Sequence, residues 1–434
     1  MKTKLFLAGV LVVVSIQFLG AETVLTETVL TVDDAAALAL RHNLSLERTR
    51  IETEGKKRDA GNTWNSLVPS LSAGASYGRG TSLAGELTPG REEWTPGVSL
   101  SASLSLTPAI VTEIQRAKAD YEAGLLSYEA AKQELELQVR KLFYQILLLQ
   151  GNVALADRNI ASAQARYEEA AAKARAGQAA RLDERSAKVE LENLRPAKRN
   201  AETLLRNALE NFAQILGIDG DETIRLDGSL EIAMSVTVRD DVSDTLNKQD
   251  SFTTASLRKS LSALETQRKT LWNNAYIPSL NLRWTGSPAY ANNAWTDSAG
   301  SFSIGFSIQL ENFLPASKAK NQIAAVDDSL ALYRSQIAEA LKTEDLEARQ
   351  NIRAMEQSIE SIEALALNVE LARETYFMWE ESYRQGSADL QQLRNAADSL
   401  SEAENRMQQE QYNLLAATLD LEKALNVPFG TLSK

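Results

Sequence analysis

Few residues in this chain of 434 could do chemistry, and their spacing argues against catalysis. The only histidine is His42, between Arg41 and Asn43, and there is no cysteine. A nucleophile pair or a metal site built on nitrogen and sulfur needs a second such residue. No glycine-rich phosphate loop occurs. Carboxylates are abundant but interleaved with Lys and Arg, as on solvated coiled-coil flanks. His42 reads as a surface residue, and the expectation is no enzyme, no metal and no cofactor. The hydroxyls carry the informative pattern. In Val98-Ser99-Leu100-Ser101-Ala102-Ser103-Leu104-Ser105-Leu106 an apolar residue alternates with serine throughout. A strand sends successive side chains to opposite faces, so one face is apolar and the other lined with hydroxyls. Such hydroxyls suit a wet surface rather than a reaction.

The alternation returns about two hundred residues later as Phe302-Ser303-Ile304-Gly305-Phe306-Ser307-Ile308-Gln309-Leu310. Each copy has a shorter upstream partner, Leu71/Ala73/Ala75/Tyr77 and Leu280/Leu282/Trp284. Two hairpins result, about 69–107 and 278–310. On the first pattern Val98, Leu100, Leu104 and Leu106 share the apolar face, and on the second Phe302, Ile304, Phe306 and Ile308 do.

The rest reads as long helix, rich in Ala, Leu, Glu, Gln and Arg with only nine prolines. Lys2 and Lys4, an apolar run from Leu5 to Leu19 and Gly20-Ala21-Glu22 form a secretory signal peptide, residues 1–21. A retained anchor is the alternative, and the run is short for one. Cleavage would remove two lysines and take the net charge from −12 to about −14, a balance that argues against a nucleic-acid partner. No other apolar run is long enough to span a bilayer as a helix.

Thr31, Asp33 and Asp34 open a helix expected to run to about Ser66, and Pro69 starts the first strand. Thr107-Pro108 opens a helix from 108 to about 174, on the order of 100 Å long. Phe143, Ile146, Val153, Ile160 and Tyr167 set its coiled-coil seam. Gly177 marks a reversal, and a return helix spans about 181–216, with Pro196 expected to kink it. After a mixed acidic connector, 218–240, the plan repeats from 241 to the end. A helix reaches Trp272, Pro315 opens a second long helix (about 315–383), Gly386 marks the turn, and a last helix covers about 388–425. Gly386 lies 209 residues after Gly177. The expected units are therefore 22–217 and 241–434, each helix, β-hairpin, long helix and return helix.

Four strands cannot close a barrel, and open edges are not tolerated in lipid. Copies of the chain must share the barrel, and three give twelve strands around a wet lumen. Trp64, Trp94, Trp272, Trp284 and Trp295 flank the strands as interfacial girdles would; a soluble sheet core is the plainer alternative. The polar helix faces suit a wall around a water-filled tube, and equally a solvated outer surface. A periplasmic coiled-coil scaffold without a pore is the rival from another class, but leaves the hydroxyl faces without a purpose.

These residues resemble the TolC-like outer-membrane efflux proteins, also called outer membrane factors. The likeness rests on Leu30-Thr31-Val32-Asp33-Asp34-Ala35 with Ala39-Leu40, on Trp64 to Leu71, on Tyr383-Arg384-Gln385-Gly386-Ser387-Ala388-Asp389-Leu390 and on Leu421-Glu422-Lys423-Ala424-Leu425, and covers about 30–430. It implies a homotrimer in a Gram-negative-type envelope: a twelve-stranded transmembrane β-barrel in outer-membrane lipid, continuous with a twelve-helix periplasmic α-barrel. It implies docking to a periplasmic membrane-fusion adaptor protein, and through it to an inner-membrane transporter that supplies the energy. On that basis Gly177, Ala179, Ala180, Gly386, Ser387 and Ala388 are the adaptor-docking tips. Where relatives narrow the entrance with an acidic pair, this chain has Gln392 and Asn395. Asp183, after the first tip, holds the corresponding acid; a first-turn helix acid is its ordinary reading. The function implied is a passive efflux duct gated at its tips, with the outer-membrane duct of a type I protein secretion system as the close alternative.

Overall fold

The computed structural model describes residues 28–79, 94–177, 180–218, 224–231, 251–291, 294–296 and 300–432. The expected signal peptide, Ala179, the loop 80–93 and most of the connector lie outside them. The chain opens with β1 (Thr28–Leu30) and α1 (Val32–His42). Thr31 and Asp34 form a reciprocal cap: each backbone N–H donates to the other's side chain, at 3.3 and 3.2 Å.

The first helix does not run unbroken to Ser66. Asn43 takes extended backbone (φ −67°, ψ 120°) and starts a new helix, α2 (Leu44–Asn62), followed by a 3₁₀ turn at Thr63–Leu67. Its side chain fixes the break: Oδ1 accepts from the Ser45 and Leu46 amides, and Nδ2 donates to the Ile215 carbonyl at 2.9 Å.

The first hairpin is β2 (Ser70–Gly78) and β3 (Thr95–Leu106), followed by α3 (Ala109–Arg175) and α4 (Arg181–Leu216). Helix α4 is continuous through Pro196. The helix ends at Gly217, whose φ is +70°. A Cβ there would lie 2.7 Å from the His42 carbonyl oxygen, so both backbone sign and space require glycine. The connector carries β4 (Ile224–Leu226), which pairs in parallel with β1, where the sequence showed no period.

Next come α5 (Phe252–Tyr276), which runs past Trp272, then β5 (Ser279–Gly286), β6 (Ala289–Ala291), β7 (Ala294–Thr296) and β8 (Gly300–Ser307). The segment between β5 and β8 thus contains a short antiparallel strand pair, β6 and β7. The second alternating strand stops at Ser307, so Ile308 and Leu310 lie beyond it, the latter in a 3₁₀ turn at Leu310–Phe313. That turn is locked because Asn312 Nδ2 donates to the Ala275 carbonyl and the Ser317 hydroxyl to the Asn312 carbonyl. Ser317, rather than Pro315, then caps α6 (Lys318–Arg384), its Oγ accepting from the Lys320 amide. The chain closes with α7 (Leu390–Ala424).

Helices α3 and α6 are each 67 residues long, and α4 and α7 are 36 and 35. Helix α3 packs on α4, α5 and α7, and α6 packs on α7. Two apolar clusters sit side by side along α3. One joins Phe143 and Ile146 to Ala35, Ala39, Phe212 and Leu216; the other joins Leu148 to Met355, Ile362, Leu414 and Leu421. Beyond them the seam differs from the expected heptad. Leu155, Ala163 and Ala170 are buried while Val153, Ile160 and Tyr167 are half-buried. A helix with several packing neighbours buries the stripe they share, rather than the centre of one two-stranded seam.

Candidate functional site

The main sheet has the order β2-β3-β5-β8, antiparallel throughout, with β6 touching β3 at Gly97–Ala289. Register aligns the two residue classes across all four strands. Leu71, Ala102, Trp284 and Phe302 fall in one row, and Leu104, Leu282 and Ile304 in another. Of the apolar residues singled out on sequence, Val98, Leu100, Leu104, Leu106, Phe302, Ile304 and Phe306 lie in strands on this face; Ile308 lies past the end of β8. Phe306, 78% exposed, and Ile304, 62% exposed, have no neighbour to bury them.

The opposite face is a hydroxyl ladder. Oγ atoms meet across strands at Ser70–Ser103 (2.7 Å), Ser72–Ser101 (2.6 Å) and Ser279–Ser307 (2.8 Å), and Thr285 meets Ser301 at 2.7 Å. Asn281 Nδ2 donates to the Ser307 hydroxyl at 2.9 Å. Arg283 is the charged residue of this face, between Ser103 and Ser303. Among the described residues strands β2 and β8 each have a partner on one side only, so both edges of this sheet are open.

Aromatic side chains bracket the sheet at two levels. At one end Trp94 stacks on Tyr77, centroids 5.3 Å apart; at the helical end Trp272, Tyr276 and Phe313 form a chain at 5.6 and 5.5 Å. Among the described residues no helix is long and apolar enough to cross a membrane, and no group of side chains could hold a metal ion.

At the far end of the long helices lie the two turns. Gly177 and Gly386 have φ of +71° and +78°, and a Cβ at either would meet nothing within 4 Å. Left-handed backbone alone explains the glycines, and the turns face open space. After Gly386 the Ser387 amide and hydroxyl both donate to the Ser382 carbonyl, at 2.9 and 3.0 Å, and the Ala388 amide donates there too. Ala180 is the exposed residue before α4.

The residues compared with an entrance have local duties. Gln392 closes a capping box: its amide donates to Asp389 Oδ1 at 2.8 Å and its side chain accepts from the Asp389 amide. Asn395 Oδ1 accepts from Gln391 Nε2 at 2.8 Å, and both Gln392 and Asn395 line a groove between α6 and α7 with Trp379. Asp183 is in the first turn of α4, half-buried.

Three features escaped the sequence. Lys173 joins the two tips: its Nζ donates to the Tyr383 carbonyl at 2.7 Å and sits 4.1 Å from the centre of the Tyr383 ring. Burial, then the nearby Glu169 and Asp183 charges, pushes the Tyr383 phenol above its ordinary value. The signal was available, since Lys173 and Tyr383 are 210 residues apart, almost the spacing between Gly177 and Gly386. Glu422 is fully buried and accepts from the Gly430 and Leu432 amides at 2.9 and 2.7 Å, fixing the segment after α7. Arg166 and Glu190 form a buried ion pair between α3 and α4 at 2.5 Å.

Residues 35–218 match the family model described as outer membrane efflux protein. No curated protein matches the chain. Solved structures share its fold over nearly all its length. The Campylobacter jejuni CmeC outer membrane channel superposes with a TM-score of 0.77 at 15% identity, over 91% of this chain and 85% of that one. The Neisseria gonorrhoeae MtrE outer membrane channel in its open state gives 0.75 at 18% identity, over 91% and 89%. The Vibrio cholerae outer membrane protein VceC gives 0.75 at 14%, over 92% and 96%. Residues 35–218 thus match the outer membrane efflux protein family, and over about nine-tenths of its length the chain has the fold of these outer-membrane channels.

Proposed function

We propose that this chain is the outer-membrane exit duct of a tripartite efflux system, acting as a homotrimer without catalysis of its own. The open, two-faced sheet carries the reading. With strands alternating in direction from β2 to β8, β8 of one copy meets β2 of the next antiparallel, and three copies close twelve strands. The apolar rows then meet lipid, the hydroxyl ladder meets water, and the two aromatic levels sit at the membrane interfaces.

The helices extend this barrel as a periplasmic tunnel built of two units per chain, 22–217 and 241–434, joined by the connector. The turns at Gly177–Ala180 and Gly386–Ala388 meet a periplasmic adaptor, which links the duct to an inner-membrane pump. Opening parts the tips against the Lys173 contact, while Asp183, Gln392 and Asn395 lie beside the entrance.

The decisive experiment is the mass of the mature chain extracted from membranes, with detergent mass subtracted. A detergent-dependent trimer that conducts in a planar bilayer is the expected result. A monomer soluble without detergent overturns the duct, because four strands cannot close alone.

A further inference from the structure

Between the two helix pairs, toward the tips, lies a cavity of about 360 Å³ whose wall is drawn from α3, α4, α6 and α7. That volume is within the range of small-molecule sites. Its charged wall is unbalanced. Four arginines (158, 166, 373 and 394) face three carboxylates, Glu190, Asp398 and Glu404. Glu404 is already engaged by two of them, Arg158 and Arg373, each at 3.0 Å. Arg394 is held by Asp398 only at 3.8 Å.

Arg166 is the anomaly. It is 7% exposed, and only Nη2 has a partner, Glu190 Oε1 at 2.5 Å. Its Nε and Nη1 are buried without any acceptor. Buried guanidinium N–H groups left without acceptors are costly, and Arg166 forms part of the cavity wall. The rest of the wall mixes apolar groups, among them Leu155, Leu194, Leu400, Tyr376 and Phe377, with the polar Asn159, Ser162, Asn193 and Ser401. A trapped water would serve one N–H but leave the excess positive charge.

We propose that this cavity binds one small organic carboxylate. Its head accepts from the free guanidinium N–H groups of Arg166 and balances the single excess charge. Its body lies against the leucines and the aromatic pair. An anion held there touches both helix pairs of one chain, so it ties α3 and α4 to α6 and α7. The assignment stands on the cavity itself and does not depend on what the duct carries.

The test is calorimetric titration of the full chain in detergent with sodium benzoate, at constant ionic strength, and in parallel with inorganic phosphate. One saturable benzoate site per chain is expected. Arg166→Lys keeps the charge and a partner for Glu190 but loses the planar fork, and should weaken binding about tenfold or more. Arg166→Gln combined with Glu190→Gln removes both buried charges, and should abolish binding while the assembly mass is unchanged. Three results would each overturn the proposal: no saturable benzoate binding by the unaltered chain, equal affinity in Arg166→Lys, or phosphate bound as tightly as benzoate.

Discussion

Glu422 illustrates how a single buried carboxylate can set a pH dependence. Burial pushes its carboxyl above the usual range, and the Leu432 and Gly430 amides pull the other way. Because the folded value is raised, the fold prefers the protonated form. The contribution is full below about 4.5 and is lost as pH rises through the raised value. Glu422→Gln should therefore flatten the dependence of melting temperature on pH above 4.5; an unaltered slope would assign it to other groups. The tip glycine makes a different demand. Gly386→Val meets no atom but strains a left-handed residue by roughly 1–3 kcal/mol. Assembly mass should be unchanged while adaptor-dependent export falls, and unchanged export would remove this turn from the docking surface.

The first alternating strand was the most legible element, because period two with serine at every polar position from Ser99 to Ser105 allows one arrangement. Its faces predict opposite outcomes for similar changes. Leu104→Asp puts a charge on the apolar rows and costs up to roughly 2 kcal/mol per copy in lipid, so membrane-inserted trimer should be lost on detergent gels. Ser105→Asp, one residue along on the hydroxyl face, should assemble normally. Equal behaviour of the two would mean the faces are misassigned. The spans of α3, α4, α6 and α7 lie within a few residues of those read from the sequence, but the breaks in the shorter helices were not legible. Asn43 ends α1 through a hydrogen bond to Ile215, a residue 172 positions away. Ile308 alternates like its neighbours yet leaves the strand, because Asn312 and Ser317 lock the turn after it. Such stops depend on long-range or side-chain partners that no local pattern carries. The Arg166 cavity was hidden for the same reason, as its wall comes from four helices far apart in sequence.

For the molecule as a whole, repetition brings equivalent ends together. Lys173 holds the two tips with one hydrogen bond and one ring contact, both lost in Lys173→Met. If the tips form the entrance, that variant should conduct more in planar bilayers with no adaptor present. Conductance equal to that of the unaltered protein would make the contact a packing detail.

The pairing of β1 with β4 bears on the order in which the molecule is made. Residues 28–30 lie beside 224–226 in a parallel ladder, so this contact spans nearly half the chain. Contacts this distant in sequence close late, after the entropy of the intervening loop has been overcome. As the chain emerges from its amino terminus, Thr28–Leu30 must wait unpaired until Leu226 has followed. Among the first described residues to appear are thus some of the last to be fixed, and the clasp they form registers that α3 and α4 are already in place.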